Sequence, residues 1–404
     1  MTRNDFLTHI WKPYPAMPAT FLVAGRIYKI ERDGELLELI VVRNDQNHKI
    51  KFEKAPSYSQ FLAEGDLVAI VSREEIVLLA PQLVTLPPRT LNSDLLKKYE
   101  NYLNVLRQFF HEKNFLEVQT PTLVPCPGTE PSLDVFSSQL KVGSRLEKLF
   151  LRTSPELHLK KALALGADKI FELAPCYRNG EITERHQPEF LMLEWYRAFD
   201  NLKSIKEDVV NLVGFLAETL KISAPKEVKS YSVAELFKIH CDFDFKPETS
   251  IPELKGLAQK LNIDVRSAES IDDYFFLIFM EKIESQISGD DLVFVEKYPP
   301  YQAALARMTE DGWGDRFEVY WKGYELANAF NELNDPQMQR LRAKEDLDKK
   351  RAMNKEEIHL DEEFFRALEA GMPPSGGIAL GVDRLFMCLY DIDKISDLRT
   401  FSFK

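Results

Sequence analysis

The amino-acid sequence predicts an α+β fold, in which an antiparallel sheet is flanked by helices and preceded by a small N-terminal β-barrel of the OB type. Five short β-rich runs separated by turn residues occupy residues 1–88 and are typical of such a barrel. Two later stretches, 171–199 and 316–332, each place a polar turn between two apolar runs, which predicts antiparallel hairpins. The apolar spacing over 93–113 predicts an amphipathic helix. We therefore divide the chain into a barrel domain and a larger domain, residues 89–404.

Composition and charge exclude several classes of protein. Of the 404 residues, 45% are hydrophobic and 29% are charged, which is ordinary for a globular protein. The formal charge of −12 argues against a surface that binds nucleic acid over its whole extent. No signal-peptide pattern and no apolar run of ~18 residues is present, so we expect a cytoplasmic protein. Neither a zinc site nor a disulfide framework is expected, because no CxxC pair occurs among Cys126, Cys176, Cys241 and Cys388.

The predicted barrel leaves two roles open. Its β-rich runs lie between Phe21 and Leu83, with turn signals such as Asp33-Gly34 between them. OB barrels often bind nucleic acid through aromatic side chains and a basic groove. Here acidic and basic residues are roughly balanced, and aromatic residues on the strands expected to bind are few. The domain is therefore either a docking module for nucleic acid or protein, or a structural remnant, and Leu86-Pro87-Pro88 is its predicted linker.

Two polar segments follow the predicted helix. Pro127-Gly-Thr-Glu-Pro131 is a turn-rich loop. Thr153-Ser-Pro-Glu156 precedes a helical pattern, so Ser154 and Glu156 either cap that helix or face a ligand. For residues 201–300 we predict mixed helix and loop, with the clearest helix at 209–220 and no chemical motif.

The first hairpin carries a concentration of polar and charged residues. Arg178 ends its first strand, and Arg185 and His186 lie in its loop. Guanidinium groups bind phosphate oxygens through paired, charge-assisted hydrogen bonds, so this loop suits a polyphosphate. Glu194 and Tyr196 share one face of the return strand, because side chains alternate along a strand. An acid and a phenol at that position suit a cationic substrate beside a nucleotide, although a charged, solvated hairpin is the simpler interpretation.

The second hairpin predicts a magnesium site. A two-residue turn at Lys322-Gly323 places Tyr320 opposite Glu325 and places Glu318 on the same face. Magnesium bound to a nucleotide usually takes one or two carboxylates together with phosphate oxygens. The alternative is an acidic edge that keeps the sheet soluble.

A strand irregularity is also predicted in this hairpin. In a regular strand, Asn328 and Glu332 point to the face opposite Glu325. They reach the same cavity only if the strand is interrupted, so we predict a bulge near Ala327.

The last motif is a glycine-rich stretch from Ser375 to Met387. Small residues at Gly377, Ala379 and Gly381 let the backbone approach a flat ligand. The helix that begins near Val382 then presents Arg384 one turn in.

Together these motifs resemble the class II aminoacyl-tRNA synthetases. Arg178-Asn179, followed by Arg-His-x-Pro-Glu-Phe at 185–190 and Glu-x-Tyr at 194–196, resembles motif 2 of the lysine-specific branch. The segment 114–121 resembles motif 1, which in that family forms a dimer interface, and 375–387 resembles motif 3. The resemblance covers the chain from about residue 92 onward, and it implies a homodimer that uses ATP and Mg²⁺.

The resemblance also implies roles for individual residues. Arg178 is expected at the α-phosphate and the transition state, Arg185 and Arg384 at the distal phosphates, and Glu318 with Glu325 at Mg²⁺. Further nucleotide contacts are expected from Asn179, Gly180, His186, Gln187, Leu326 and Gly381. The residues expected around a lysine-like amino acid are Ser154, Glu156, Glu194, Tyr196, Asn328, Phe330, Glu332 and Ala379.

Within this class, the sequence is closest to lysyl-tRNA synthetases and to the related ligases that attach (R)-β-lysine to a lysine of elongation factor P. The segments 127–134 and 193–197, together with Ala379, are similar to the ligases. Gly180-Glu181 and Gln187 depart from the usual pattern, which leaves the contact with the adenine edge open. We expect elongation factor P as the acceptor rather than tRNA, because the barrel lacks the positive charge that tRNA requires. The alternatives are a short lysyl-tRNA synthetase and a non-catalytic binding paralogue.

Overall fold

A computed structural model describes residues 1–404 except positions 10, 13, 14, 16, 44, 45, 57, 84–92, 288, 304, 399–401, 403 and 404. The chain forms two compact units, Met1–Lys98 and Tyr99–Lys404. The predicted linker at 86–88, and with it the predicted boundary at residue 88, lies outside the described residues.

The N-terminal unit contains the five predicted strands. Its elements are helix α1 (Arg3–His9) and strands β1 (Val23–Asp33), β2 (Leu36–Arg43), β3 (Gln46–Phe52), β4 (Leu67–Ile70) and β5 (Ile76–Ala80). They form one sheet in the order β3-β2-β1-β4-β5, in which every neighbouring pair is antiparallel. Alternate residues of the strands, such as Leu37, Leu39 and Val41, are buried in a single apolar core. A five-stranded sheet of this order is consistent with the OB-like domain expected from the sequence.

Helix α2 (Ser93–Glu112) leads into the second unit. The remaining elements are β6 (Leu116–Glu117), β7 (Leu123–Val124), β8 (Ser137–Val142), β9 (Arg145–Leu151), α3 (Glu156–Ala164), β10 (Lys169–Tyr177), β11 (Glu189–Ala198), α4 (Leu202–Leu220), β12 (Val228–Ser232), α5 (Val233–Cys241), α6 (Ile251–Lys260), α7 (Ile271–Ile278), β13 (Leu292–Tyr298), β14 (Gly314–Trp321), β15 (Tyr324–Asn331), α8 (Pro336–Ala352), α9 (Glu362–Gly371), β16 (Ser375–Gly381), α10 (Val382–Tyr390) and α11 (Ile395–Leu398).

An eight-stranded sheet organises this unit in the order β12-β13-β14-β15-β16-β11-β10-β6. Both predicted hairpins are confirmed: β10 pairs antiparallel with β11, and β14 with β15. The glycine-rich β16 lies between the two hairpins and joins them. The motifs that are distant in sequence therefore meet on adjacent strands.

The two faces of this sheet differ in polarity. One face carries Phe171, Trp195 and Ile378, which are paired in register, and Phe110 of α2 packs on it with its ring 4.7 Å from that of Phe171. The opposite face carries Glu194 and the neighbouring polar residues. Because side chains alternate along every strand, an apolar core on one face leaves the polar residues together on the other.

The region 201–300 is richer in sheet than the sequence predicted. Besides helices α4 to α7, it contains β12 and β13, which pair in parallel at one edge of the sheet. Short apolar runs such as Leu292–Val295 do not distinguish a buried strand from a helix by periodicity, so these strands were missed. Helices α5 to α7 pack against β13 in a separate apolar cluster around Phe237, Phe275 and Val295.

The described part of the chain contains no helix long and apolar enough to cross a membrane. All four cysteines are buried free thiols.

Candidate active site

A cavity of about 750 Å³ lies on the polar face of the large sheet. Its floor comes from β11, β15 and β16, and its sides come from the loop after β10, the loop before β8, and helices α3, α8 and α9. Most of the site residues predicted from sequence line it: Ser154, Glu156, Arg178, Gly180, Arg185, His186, Gln187, Glu194, Glu325, Leu326, Asn328, Phe330, Ala379, Gly381 and Arg384.

The three predicted arginines all line the cavity. Arg178 is stacked over the ring of Phe190 at 5.2 Å, and its buried Nε has no hydrogen-bond partner. Arg185 is stacked over Tyr324 at 4.7 Å and donates to the main-chain oxygen of Gly323. These contacts hold both guanidinium planes in place while leaving donor groups for a ligand.

Arg384 is held by one contact to each hairpin. Its Nη1 donates to the main-chain oxygen of Glu325 at 2.8 Å, and its Nη2 is hydrogen-bonded to Nε2 of His186. Burial and the neighbouring charge of Arg384 lower the pKa of His186, so the imidazole is neutral at neutral pH. A neutral ring accepts at Nε2 and donates from Nδ1 to Thr183 Oγ1, which lies 2.9 Å away. His186 therefore orients Arg384 and adds no positive charge of its own.

The opposite part of the floor is acidic. Glu194 on β11, Ala379 on β16 and Asn328 on β15 are register partners across three adjacent strands. Tyr196 donates to Glu194 at 3.0 Å, which confirms that the two share a face. Burial, and then the charge of Glu156, raise the pKa of Glu194 well above its usual value. The buried Oδ1 of Asn328 has no hydrogen-bond partner, so it is available to an N–H donor.

The predicted bulge is present in β15. The register runs from Val319 opposite Ala327 to Tyr320 opposite Glu325, so Leu326 is an extra residue without a partner. Both residues of the turn, Lys322 and Gly323, have positive φ, as the predicted two-residue hairpin requires. Because of the extra residue, Glu325 and Asn328 face the same cavity.

Lys160 of α3 is the main feature that the sequence analysis missed. Its side chain is only 1% exposed, and its ammonium nitrogen lies 2.5 Å from Glu156 Oε1 and 2.6 Å from Glu332 Oε2. Burial by itself lowers the pKa of Lys160, but the two carboxylates outweigh burial and raise it. Two of the acids expected around a ligand are therefore already paired with a cation of the protein. The i, i+4 spacing of Glu156 and Lys160 was the available signal, and it is common on any helix surface.

Four predicted site residues lie beside the cavity without lining it. Tyr196 and Glu332 are buried behind the acidic floor, and Asn179 joins the loop before β8 through a hydrogen bond to Asp134. Glu318 accepts hydrogen bonds from Tyr298 and Tyr320 at 2.6 Å each and is paired with Arg316. Burial, and then the charge of Glu318, raise the pKa of Glu325 to about 7. Glu325 thus faces the cavity, and Glu318 supports it from behind.

The far wall of the cavity was also not predicted. Gln339, Ala343 and Asp346 lie on one face of α8, and Phe364 and Phe365 lie on α9. Thr129 donates to Asp346 at 3.3 Å, and burial raises the pKa of Asp346 to about 6. Lys350 of α8 donates to the main-chain oxygens of Glu130 and Leu133, which anchors the loop before β8. Only the tertiary fold brings α8 to this loop.

Comparison with known proteins identifies relatives for most of the chain. Residues 77–404 match the family model of tRNA synthetases class II (D, K and N). An elongation factor P–(R)-β-lysine ligase of Haemophilus influenzae (strain PittGG) is 38% identical over 302 residues, which are 74% of this chain and 91% of the relative. The ligase of the same name from Proteus mirabilis (strain HI4320) is 38% identical over 322 residues, 78% of this chain and 96% of the relative. That of Hamiltonella defensa is 35% identical over 315 residues, 76% and 94% of the two chains.

Proposed function

The chain belongs to the class II tRNA synthetases of the D, K and N type, and from this premise we propose that it is an ATP-dependent ligase. Its proposed reaction activates lysine or (R)-β-lysine as an adenylate and transfers it to a lysine side chain of elongation factor P. The relatives named as such ligases are covered over 91% or more of their length, which supports this acceptor. Since the acceptor is a translation factor, we place the protein in the cytoplasm.

One observation carries the proposal: a single cavity is lined by three guanidinium groups and also by the neighbouring carboxylates of Glu156 and Glu194. A triphosphate fits the guanidinium groups, and an amino acid with two ammonium groups fits these two carboxylates. Between them, a carboxylate oxygen of the amino acid forms a bond to the α-phosphorus while the bond to pyrophosphate breaks. We assign to Arg178, which lines the cavity, the stabilisation of the charge that develops there. No nucleophilic side chain is required, because the positioning of the two substrates and the cationic side chains lower the barrier of the reaction.

The residues present fit a nucleotide-bound Mg²⁺. Glu325 offers a buried carboxylate to the cavity, and its raised pKa indicates a site that favours an added cation. No group of three or more acidic, histidine or cysteine side chains that could hold a metal by itself is found among the described residues, so phosphate oxygens would complete the coordination. When bound, Mg²⁺ neutralises phosphate charge and orients the leaving pyrophosphate. Glu325 would hold it, with Glu318 behind.

For the transfer step, the free amine of the acceptor lysine attacks the carbonyl carbon of the adenylate, and AMP leaves with the bonding electron pair. The proton of the attacking ammonium must be removed first. Glu130 lines the cavity, and burial, followed by the charge of Glu156, raises its pKa. We therefore propose Glu130 as the proton acceptor for this step.

A short lysyl-tRNA synthetase is the second candidate. It is favoured by the five-stranded OB-like sheet, most of which precedes the residues matched by the family model. The barrel would then contact the anticodon.

We also propose a homodimer. Strand β8 is exposed at all six positions, and Leu140, Val142 and Leu146 of the β8–β9 hairpin are 42%, 49% and 65% exposed. The first four residues of β9 and all of β8 are exposed, so a covering subunit fits this part of the hairpin.

A transfer assay that offers both acceptors tests the function. Purified protein, ATP and either lysine isomer are incubated with elongation factor P and with lysine tRNA, and covalent product is followed on each. We expect a mass gain of one lysyl group on elongation factor P. Product on tRNA alone would remove the first candidate in favour of the second, and absence of both products and of ATP–pyrophosphate exchange would remove both.

A further inference from the structure

Lys160 forms two buried ion pairs, one with Glu156 and one with Glu332. Three carboxylates, those of Glu156, Glu194 and Glu332, influence one another electrostatically at the acidic part of the cavity. The ammonium group of Lys160 is bound to two of them and faces no solvent. When all are ionised, this cluster carries a net charge of −2.

We propose that Lys160 is a positioning residue that sets the charge of this cluster to −2 when its three carboxylates are ionised, so that the site selects amino acids with two ammonium groups. This inference rests on the proposed function and names what makes its substrate specific. Three unpaired carboxylates would leave one buried negative charge without a partner after a doubly cationic substrate binds. Such a charge is strongly unfavourable in the interior. With Lys160 in place, the two ammonium groups of the substrate neutralise the two remaining negative charges of the cluster.

The surrounding contacts support a fixed rather than an exchangeable role for Lys160. Glu332 is fully buried, and its Oε2 lies 2.6 Å from the ammonium nitrogen of Lys160. Neither carboxylate oxygen of Glu332 accepts a well-aligned hydrogen bond, so the ion pair with Lys160 is the contact that compensates this buried charge. Tyr196 donates to Glu194 and so fixes the third carboxylate.

Other charged groups near the cluster do not replace Lys160. Arg307 donates to the main-chain oxygen of Glu332 and to Asn334 rather than to a carboxylate. Glu130 interacts electrostatically with Arg178 as well as with Glu156, so its carboxylate is shared between the acidic cluster and the arginines. Lys160 is therefore the cation that the cluster itself contains among the described residues.

The test compares four variants by charge. Lys160→Gln makes the cluster −3, Glu332→Gln makes it −1, and the double variant returns it to −2. Lys161→Gln is the matched control, because Lys161 is adjacent on α3 but is paired with Asp361 at 2.8 Å. Each protein is assayed by ATP–pyrophosphate exchange with lysine and with the analogue in which the side-chain ammonium is a hydroxyl group. The ratio of kcat/KM for the two amino acids is measured on the same preparation, so the fraction of folded protein cancels.

We expect each single variant to lose on the order of tenfold or more of the preference for lysine, through KM rather than kcat. The double variant should recover most of that preference, since its charge again matches two ammonium groups. The control should retain the wild-type ratio. If Lys160→Gln does not fold, the charge-balanced double variant still decides the question.

The inference is overturned if the double variant discriminates no better than Glu332→Gln, or if Lys160→Gln keeps the wild-type ratio. Either result would make Lys160 a structural ion-pair partner only. Failure of the proposed function looks different, because the wild-type protein would then show no lysine-dependent exchange at all.

Discussion

Ala379 and Glu194 are register partners on adjacent antiparallel strands, so the methyl group of Ala379 lies beside a buried carboxylate at the floor of the cavity. Removal of this methyl group enlarges the site next to the position proposed for an ammonium group. We predict that Ala379→Gly shifts preference toward α-lysine over (R)-β-lysine by about 1–3 kcal/mol at most, the range for one methyl-sized change in a pocket.

The ratio of kcat/KM for the two isomers measures this effect. Ala329→Gly is the matched control, because Ala329 is buried on the opposite face of the same sheet. An unchanged isomer ratio in Ala379→Gly would show that this residue does not contact the substrate.

Arg178 should be essential for adenylate formation and dispensable for folding. Its Nε has no hydrogen-bond partner and its main contact is the ring of Phe190, so the fold loses little in Arg178→Ala. We expect ATP–pyrophosphate exchange to fall by on the order of 10²–10³ or more, as when one electrostatic contact to a transition state is removed. Thermal unfolding should stay near that of wild type, and Arg266→Ala, at an exposed position, is the control. Retained exchange would contradict the assignment.

Glu325 should stabilise the nucleotide complex at the expense of the free protein. Burial raises the pKa of Glu325 from an ordinary 4.5 to about 7. Between these two pH values, the carboxyl group of Glu325 keeps its proton in the folded protein but has lost it in the unfolded protein. The free energy of unfolding therefore falls as pH rises from about 4.5 to 7. Glu325→Gln should remove this loss of stability, so the free energy of unfolding of the unliganded protein at pH 8 should rise by about 1–3 kcal/mol. The activity in ATP–pyrophosphate exchange should fall.

Chemical denaturation at several pH values measures this prediction. Glu189→Gln, at an exposed position where β11 begins, is the control and should leave the pH dependence unchanged. A Glu325→Gln protein that is less stable than wild type at pH 8 would mean that the carboxylate already has a stabilising partner.

Binding of a doubly cationic amino acid should release protons. Burial raises the pKa of Glu332 to about 7, and the pKa of Glu194 is also raised. The cluster is therefore partly protonated when empty, although Lys160 is charged. Two incoming ammonium groups favour the ionised carboxylates, so affinity should weaken as pH falls below about 7.

Calorimetry at pH 7 in buffers of different ionisation enthalpy counts the released protons. The groups facing the cluster are Glu156, Tyr196, Glu130 and Arg307, and the Glu332→Gln variant assigns the contribution of one acid. A binding enthalpy that does not depend on the buffer would contradict the prediction.

The exposed β8–β9 hairpin should mediate the proposed dimer. Leu146 is 65% exposed, and its replacement by Lys places a charge on this surface without disturbing a core. We expect sedimentation equilibrium to give a dimer for wild type and a larger fraction of monomer for Leu146→Lys, with Leu165→Lys as the control at another exposed position. A wild-type monomer would exclude the dimer.

Much of the fold and the site could be predicted from local patterns. Period-two alternation located both hairpins and placed Glu194 and Tyr196 on one face. The need for Glu325 and Asn328 to share a cavity predicted the bulge, which the structure places at Leu326. These features depend on residues that are near neighbours in the chain, so the sequence contains their cause.

Other features were decided by the tertiary structure alone. Lys160 becomes a partner of Glu332 because α3 packs beside the end of β15, and the face of α8 closes the cavity because its buried residues meet the loop before β8. Burial also made His186 a neutral support for Arg384. Which distant residues pair, and which side chains are removed from water, depends on the packing of the folded chain. The spacing of residues along the sequence does not show either of these. The sequence by itself determined which strands form and which residues their polar face presents, and the three-dimensional packing decided their charges and partners.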